Sequence, residues 1–410
     1  MEESIVVGID VGTTKICTLI ARIEGNQRVH VLGAGIEQSQ GMKKGVVVDI
    51  SAASRAIRRS IEKAERSSGF EVTGALVSLA GSNVSSVNSK GVVGISGDVI
   101  DEDDVFRALE AARAVAIPHN REIIHVIQRG FNIDGQSGIR TPIGMHGYRL
   151  EVEAHIITAS AAAVENLRQC VANAGVEVTQ FVLNPLASAE AVLNDTERQM
   201  GAVLCDIGGG TTNIAIYIEG DIWHTAVLGV GGDLITSDIA HGLRLPLTTA
   251  EEIKKQHGHA LQSEVSKDEY FTVKTFGEDK PVQISRADLA YIIEARMEEI
   301  CALVLKEIKR SNYDGLLPAG IVFCGGASAM PGLRMLANRV FDLPARVAQP
   351  EGMTGMIDKI QGPAFATSIG IIRWAMLMNE YLSQPERKRS RRPEGESLRK
   401  VRELIRLLLP

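Results

Sequence analysis

Two short glycine-rich segments constrain this chain more than any other feature. The first is Asp10-Val-Gly-Thr-Thr-Lys15 and the second is Asp206-Ile-Gly-Gly-Gly-Thr-Thr-Asn213. Each follows a strand-like apolar run and leads into another one, so each reads as the tip of a hairpin. Glycine permits a sharp turn and a close backbone approach. Successive backbone N–H groups in such a turn form an anion-binding concavity. Gly12, Gly208, Gly209 and Gly210 supply the turns; Thr13, Thr14, Thr211 and Thr212 add hydroxyl donors, Asn213 an amide and Lys15 a charge. Asp10 and Asp206 close their strands beside these loops. A carboxylate facing phosphates is reasonable when a hydrated Mg²⁺ lies between them, because Mg²⁺ keeps several of its waters. The chain has no GxxxxGK[ST], and both turns feed strands rather than helices, which excludes a P-loop and a dinucleotide fingerprint.

The two loops lie 196 residues apart in a 410-residue chain, a domain-sized period that indicates a duplication rather than a solenoid. The first half reads as strands at 5–10, 16–23 and 29–35 and a helix at 51–67 closed near Gly69. The second half repeats the order, with strands at 202–206, 214–218 and 221–230 and a helix starting near Gly232. Residues 80–160 differ in character. They show short β-rich pieces at 84–87, 92–95, 123–127 and 149–157 around a helix at 101–116, with Asp101 as its N-cap. A second insertion, 239–311, holds a helix at 249–256, a polar hairpin near 265–282 and a long helix at 285–310. A third glycine corner follows a strand at 321–324: Gly325, Gly326 and Ala327, then Pro331 before a helix at Leu333. It suits the packing of a flat ligand against bare backbone. Glu251 and Lys254 share one face of their helix; they suit either a solvated pair or contacts to a ribose and base.

Five cysteines without CxxC spacing read as reduced core thiols, and His257 and His259, flanking one glycine, read as a solvated turn. The chain enters a strand at once, with no signal-peptide pattern, and has no apolar stretch long enough to span a bilayer, so a cytosolic setting is expected. A net charge of −6 gives no reason to expect a nucleic-acid partner.

The charge is unevenly spread. Residues 385–410 carry nine Lys/Arg and four Glu, a net of +5 that leaves −11 on the remainder. Residues 385–395 are charged, Pro-bounded and almost free of apolar side chains, the composition of a disordered linker. Beyond them, Leu398, Val401, Leu404, Ile405, Leu408 and Leu409 fall within a helical sector of about 140°. Arg399, Lys400, Arg402 and Arg406 lie opposite, and Leu407 falls among the charges. Such a helix either docks on the protein's own body or lies in the interface of an anionic membrane, where each basic residue contributes ~1 kcal/mol.

Together these motifs resemble the actin, Hsp70 and sugar kinase superfamily. The resemblance narrows at Ser39-Gln-Gly-Met-Lys-Lys-Gly-Val-Val-Val-Asp49, at Asp206 to Ile216, at Thr236-Ser-Asp-Ile-Ala240 and at Ala250-Glu-Glu-Ile-Lys-Lys-Gln-His-Gly258. These segments are similar to FtsA, the actin-like cell-division family of bacteria, over nearly the whole chain. The resemblance implies a duplicated, ribonuclease H-like α/β fold that binds ATP or ADP with Mg²⁺, the metal held through water near Asp10 and Asp206. It divides the chain into subdomain 1A (1–79, 161–199 and 352–384), an inserted α+β subdomain 1C (80–160), subdomain 2A (200–238 and 312–351) and subdomain 2B (239–311). A linker (385–395) and a membrane-targeting helix (396–410) follow. It implies tethering of FtsZ filaments to the cytoplasmic face of the membrane at the division site, self-assembly into filaments, and recruitment of later division proteins through 1C. Residues around Glu294 and Arg296, by themselves a charged helix face, match the family's docking helix for the FtsZ C-terminal tail. One position departs from related actin-like filament proteins: Asn184 replaces the glutamate that orients the attacking water, so hydrolysis is expected to be slow. An actin-like type IV pilus scaffold is the alternative on the same fold, and the amphipathic tail speaks against it. A small-molecule kinase lacks a candidate base here. In liposome co-sedimentation with anionic vesicles, the full chain is expected to pellet and a chain truncated after Gln384 to stay in the supernatant; equal pelleting would defeat the membrane reading.

Overall fold

The computed structural model describes residues 4–24, 28–81, 83–276, 281–358 and 360–383. The expected linker and Leu398, Arg399, Lys400, Val401, Arg402, Leu404, Ile405, Arg406, Leu408 and Leu409 of the expected membrane helix lie outside the described residues. Two sheets organise the body. In the first lobe the strand Ser4–Val11 is flanked by Lys15–Glu24 on one side and Gly74–Leu79 on the other; Arg28–Gln38, Glu177–Leu183 and Met353–Gly355 complete six strands. In the second lobe Ala202–Ile207 lies between Thr212–Ile218 and Gly320–Cys324, with Asp221–Leu228 and Ala345–Val347 at the edges. Each lobe thus begins with an antiparallel hairpin and gains a parallel strand beside its first one. The duplication seen in sequence is a duplication of sheet order.

The helix Ile50–Ser68 forms where its stripe demands. Asp49 caps it by accepting from Ala52 N, and Ala53, Ala56, Ile57, Ile61 and Ala64 are buried against the first sheet. The insertion forms a four-stranded sheet of Ser85–Gly94, Arg149–Ser160, Arg121–Ile133 and Gln136–Ile139, covered by the helix Glu102–Arg113. Its core of Ile100, Leu109, Val126, Phe131 and Val152 is its own. The cap is reciprocal: Asp101 accepts from Asp104 N, and Asp104 accepts from Asp101 N.

Several expectations are corrected. The pieces at 84–87 and 92–95 are one strand, because Asn88, Ser89 and Lys90 pair in the ladder instead of forming a turn. The helix expected to reach residue 116 ends at Arg113. His257 is no solvated turn: its ring stacks on Phe271 at 4.5 Å and its carbonyl accepts from Arg286, while His259 bonds to Leu261. The helix Gly232–Gly242 runs across the expected 238/239 boundary. All five cysteines are buried and free.

The helices Asn184–Val192 and Ala366–Ser383 cross behind the lobes, and their backbones meet at Gly370. A Cβ there would stand 1.7 Å from Ala187 O. Gly370→Ala is therefore expected to lower the thermal midpoint clearly, by an overpacking cost of about 1–3 kcal/mol or more; an unchanged midpoint in calorimetry would show that the crossing is loose.

Candidate nucleotide cleft

Between the lobes lies a cleft of about 830 Å³, within the ~300–1,000 Å³ range of small-molecule sites. The two hairpin tips form its floor. They are built alike: Gly12 N donates to Lys15 O at 3.0 Å, and Gly208 N donates to Thr211 O at 2.8 Å. The tips also touch across the lobes. Thr14 Oγ1 donates to Asp233 Oδ1 at 3.5 Å, and a Cβ at Gly209 would stand 1.9 Å from Thr14 Oγ1. Only glycine at 209 lets the two turns face each other this closely.

Nearly all the residues singled out in sequence converge on the cleft: Asp10, Gly12, Thr13, Thr14, Lys15, Asp206, Gly208, Gly209, Gly210, Thr211, Asn213, Gly232, Glu251, Lys254, Gly325, Gly326, Ala327 and Pro331. Thr212 does not. Register explains why: Asp10 pairs with Cys17 and Asp206 with Asn213, so Thr211 takes the place of Lys15 and Thr212 the place of the core residue Ile16. The Thr212 side chain accordingly points into the lobe and donates to Val230 O at 2.9 Å. The matching Thr-Thr pairs in sequence are not matching positions in space.

The two carboxylates sit at the base of the cleft and are almost fully buried. Asp10 accepts from Ser78 at 3.2 Å, from Ser368 at 2.6 Å and from Lys15 at 3.3 Å. Asp206 accepts from Ser188 at 2.9 Å and from Thr367 at 3.1 Å. Burial pushes the Asp206 carboxyl above its ordinary range, although the Ser188 and Thr367 hydroxyls pull it back. For Lys15 burial opposes the charge, but the attraction of Asp10 heads the opposing effects and the ammonium ends above its usual value. The hydroxyls of Ser78, Ser188, Thr367 and Ser368 escaped the sequence reading. The one signal was a polar pair, Thr367-Ser368, directly ahead of the apolar run 369–372.

On the second lobe, Glu251 and Lys254 form an ion pair at 2.5 Å. Thr236 donates to Glu251, and Lys254 donates to Thr236 at 2.7 Å and to Gly232 O at 3.2 Å. The pair is thus no solvated decoration; it lines the wall facing the Gly325 corner. Asn184 begins its helix in the cleft, and both Asn184 Oδ1 and Asn213 Oδ1 are buried without a hydrogen-bond partner among the described residues. These two acceptors and the two carboxylates fit the water shell of a hydrated cation, which can only donate. Glu294 and Arg296 lie on the long helix Arg286–Ser311, outside the cleft. Glu294 accepts from Gln262 N and pairs with Arg339, and Arg296 pairs with Asp238 and Glu299.

The family model "Cell division protein FtsA" matches residues 203–370, and "SHS2 domain inserted in FTSA" matches 81–158. The FtsA of Pseudomonas aeruginosa is 40% identical over 371 residues, covering 90% of this chain and 89% of its own. That of Escherichia coli K12 is 35% identical over 380 residues, covering 91% and 90%. The chain belongs to the FtsA family. It is an FtsA cell-division protein, and its fold is that of the actin-like proteins. Among solved structures it resembles MreB 5 of Spiroplasma citri bound to AMPPNP, at TM-score 0.58 and 16% identity, covering 93% of this chain and 99% of that one. The PilM-PilN type IV pilus biogenesis complex superposes at TM-score 0.63 with 16% identity, covering 89% and 97%. At these identities the likeness is one of fold, and the sequence relatives assign FtsA over the pilus scaffold. No described helix is long and apolar enough to cross a membrane.

A raised carboxyl makes folding favourable at low pH and less so as pH climbs through its folded value. Asp206→Asn, which keeps an oxygen toward Ser188 and Thr367, is therefore expected to raise the thermal midpoint of the ligand-free protein at pH 7. The gain should vanish below the ordinary carboxyl value of 3.8, where both states are protonated. A gain independent of pH would show that ionisation at 206 is not the cause.

Proposed function

We propose that this FtsA binds ATP with Mg²⁺ between its two hairpins and uses it to favour one closed state of the lobes. The observation that carries this reading is the convergence of both hairpin tips, the Gly325 corner and the Glu251–Lys254 pair on one cleft. The hairpins offer backbone N–H groups and the Thr13, Thr14 and Thr211 hydroxyls to phosphates. Lys254 and Glu251 suit the ribose and base, and Gly325, Gly326, Ala327 and Pro331 suit the adenosine face. Asp10 and Asp206 would hold a hydrated Mg²⁺ through its waters, and the ion would offset phosphate charge. MreB 5 of Spiroplasma citri, which shares this fold, is solved bound to AMPPNP, and this supports a nucleotide ligand here.

Hydrolysis is slow in this reading. Asn184 presents a neutral amide oxygen that can orient a water but cannot take its proton. The nucleotide then acts through its differential affinity for two arrangements of the lobes. Membership of the FtsA family supports the remaining parts: the body engages the FtsZ tail near Glu294 and Arg296, the basic C-terminal segment binds anionic lipid, copies assemble head to tail, and the inserted subdomain receives later division proteins. In this reading the protein works at the cytoplasmic face of the membrane at the division site.

Calorimetric titration and thermal shift with Mg-ATP test the cleft. At a ligand concentration 100 times Kd the expected stabilisation is about 2.7 kcal/mol. Lys254→Ala should weaken binding at least about tenfold, a loss of ~1.4 kcal/mol. Single-turnover hydrolysis should be slower than ~1 per minute, far below the 1–10³ s⁻¹ of ordinary enzymes. No shift with Mg-ATP would remove the nucleotide, and rapid turnover would remove the role given to Asn184.

A further inference from the structure

The inserted subdomain interrupts the first lobe in sequence, yet it also grips the second. Ser86 donates to Thr225 O at 3.0 Å, Asn88 donates to Trp223 O at 3.2 Å, and His155 meets Thr225 Oγ1 at 3.0 Å. The Arg129 guanidinium lies over the Trp223 ring at 4.1 Å. Arg140 pairs with Asp221 and donates to Glu219 O at 2.6 Å. All of these fall on the edge strand Asp221–Leu228 or the turn leading into it.

The strand that carries Arg129 runs back toward the cleft. Four residues earlier on it is His125, fully buried, with its ring edge-on to Trp374 at 5.3 Å. Burial lowers the imidazole to about 3, so the ring is neutral at physiological pH and one nitrogen is free to accept. His125 Nε2 accepts from Leu183 N at 3.1 Å, while Nδ1 has no partner among the described residues. Leu183 is the residue before Asn184, and the helix Asn184–Val192 has no side-chain cap at its start. The N-terminus of that helix is thus fixed from outside, by a histidine of the inserted subdomain. Ile127 of the same strand packs with Leu183, Leu186 and Trp374 in one apolar cluster, so strand and helix share one packed core.

We propose that His125 is a positioning residue for Asn184, and that its strand passes the seating of the inserted subdomain on the second lobe to the cleft. This rests on the reading that Asn184 faces the attacking water. Loosening the seam at Arg140 or Trp223 would release the strand, and through His125 the backbone that aims the Asn184 amide. A partner bound to the inserted subdomain would in this way alter hydrolysis without touching the nucleotide.

Three variants of the full-length protein separate the possibilities. His125→Phe keeps a ring but removes the acceptor; His125→Gln restores an oxygen that can reach Leu183 N–H; Arg140→Ala loosens the seam at a partly exposed site. Amide hydrogen exchange over residues 181–192 is measured without nucleotide, and Mg-ATP affinity and single-turnover rate are measured beside it. His125→Phe should speed exchange of the first turn of the Asn184 helix at least tenfold and slow turnover at least fivefold, with affinity within twofold. His125→Gln should recover both, and Arg140→Ala should speed exchange of the same turn two- to threefold. Equal behaviour of the Phe and Gln variants would overturn the positioning role, and an unaltered turn in Arg140→Ala would overturn the transmission. Failure of the wild type to bind Mg-ATP would count against the nucleotide reading alone, because the exchange data still decide whether His125 holds the helix and whether the seam is felt there.

Discussion

Everything in the cleft depends on keeping two buried carboxylates at the meeting point of the lobes. Asp10 and Asp206 end the first strand of their respective sheets, and the charge of Asp10 adds to burial in raising the cost of ionising Asp206. One helix manages both. Thr367 donates to Asp206 and the next residue, Ser368, donates to Asp10. The two hydroxyls stand at the start of the helix Ala366–Ser383, where the positive end of the macrodipole favours nearby negative charge. Adjacent positions on one backbone thus tie the two halves of the duplication together. The helix can do so only because Gly370 lets it lie directly on Ala187 of the helix that carries Ser188 and Asn184.

The features legible in sequence are those with a local cause. The hairpin tips, the Asp101 cap and the helix Ile50–Ser68 closed near Gly69 each follow from residues a few positions apart. The strand Ser85–Gly94 was not legible as one element, because its middle reads Asn-Ser-Lys-Gly, the composition of a turn. Ser86 and Asn88 are polar because they bond to the second lobe, over a hundred residues away in the chain. The Thr212 error has a similar origin. A Thr-Thr pair follows the glycines in both loops, but the second loop carries two more glycines before it, and register moves the pair two positions along, so that Thr212 stands at the place of Ile16. The hydroxyls on Asp10 and Asp206 come from three distant segments and leave no spacing to read.

The two attachments of the inserted subdomain differ in kind. Toward the first lobe Ile127 and Ile157 share an apolar cluster with Leu183, Leu186 and Trp374, a cluster that also takes in Tyr217 and Ile222 of the second lobe. Toward the second lobe it offers hydrogen bonds, one ion pair and one guanidinium over a ring. Burial of an aliphatic side chain contributes roughly 1.5–3 kcal/mol, whereas a hydrogen bond exchanged with water contributes only ~0.5–1.5 kcal/mol net and an exposed ion pair about 0–1 kcal/mol. The apolar contacts are therefore the stronger part of the attachment and the polar seam the weaker. The subdomain's separate core, around Leu109, Phe131 and Val152, gives it a packed interior that does not depend on that seam. In the proposal made above, the strand from Arg129 to His125 is the part that would carry a change at the polar seam to the Asn184 helix.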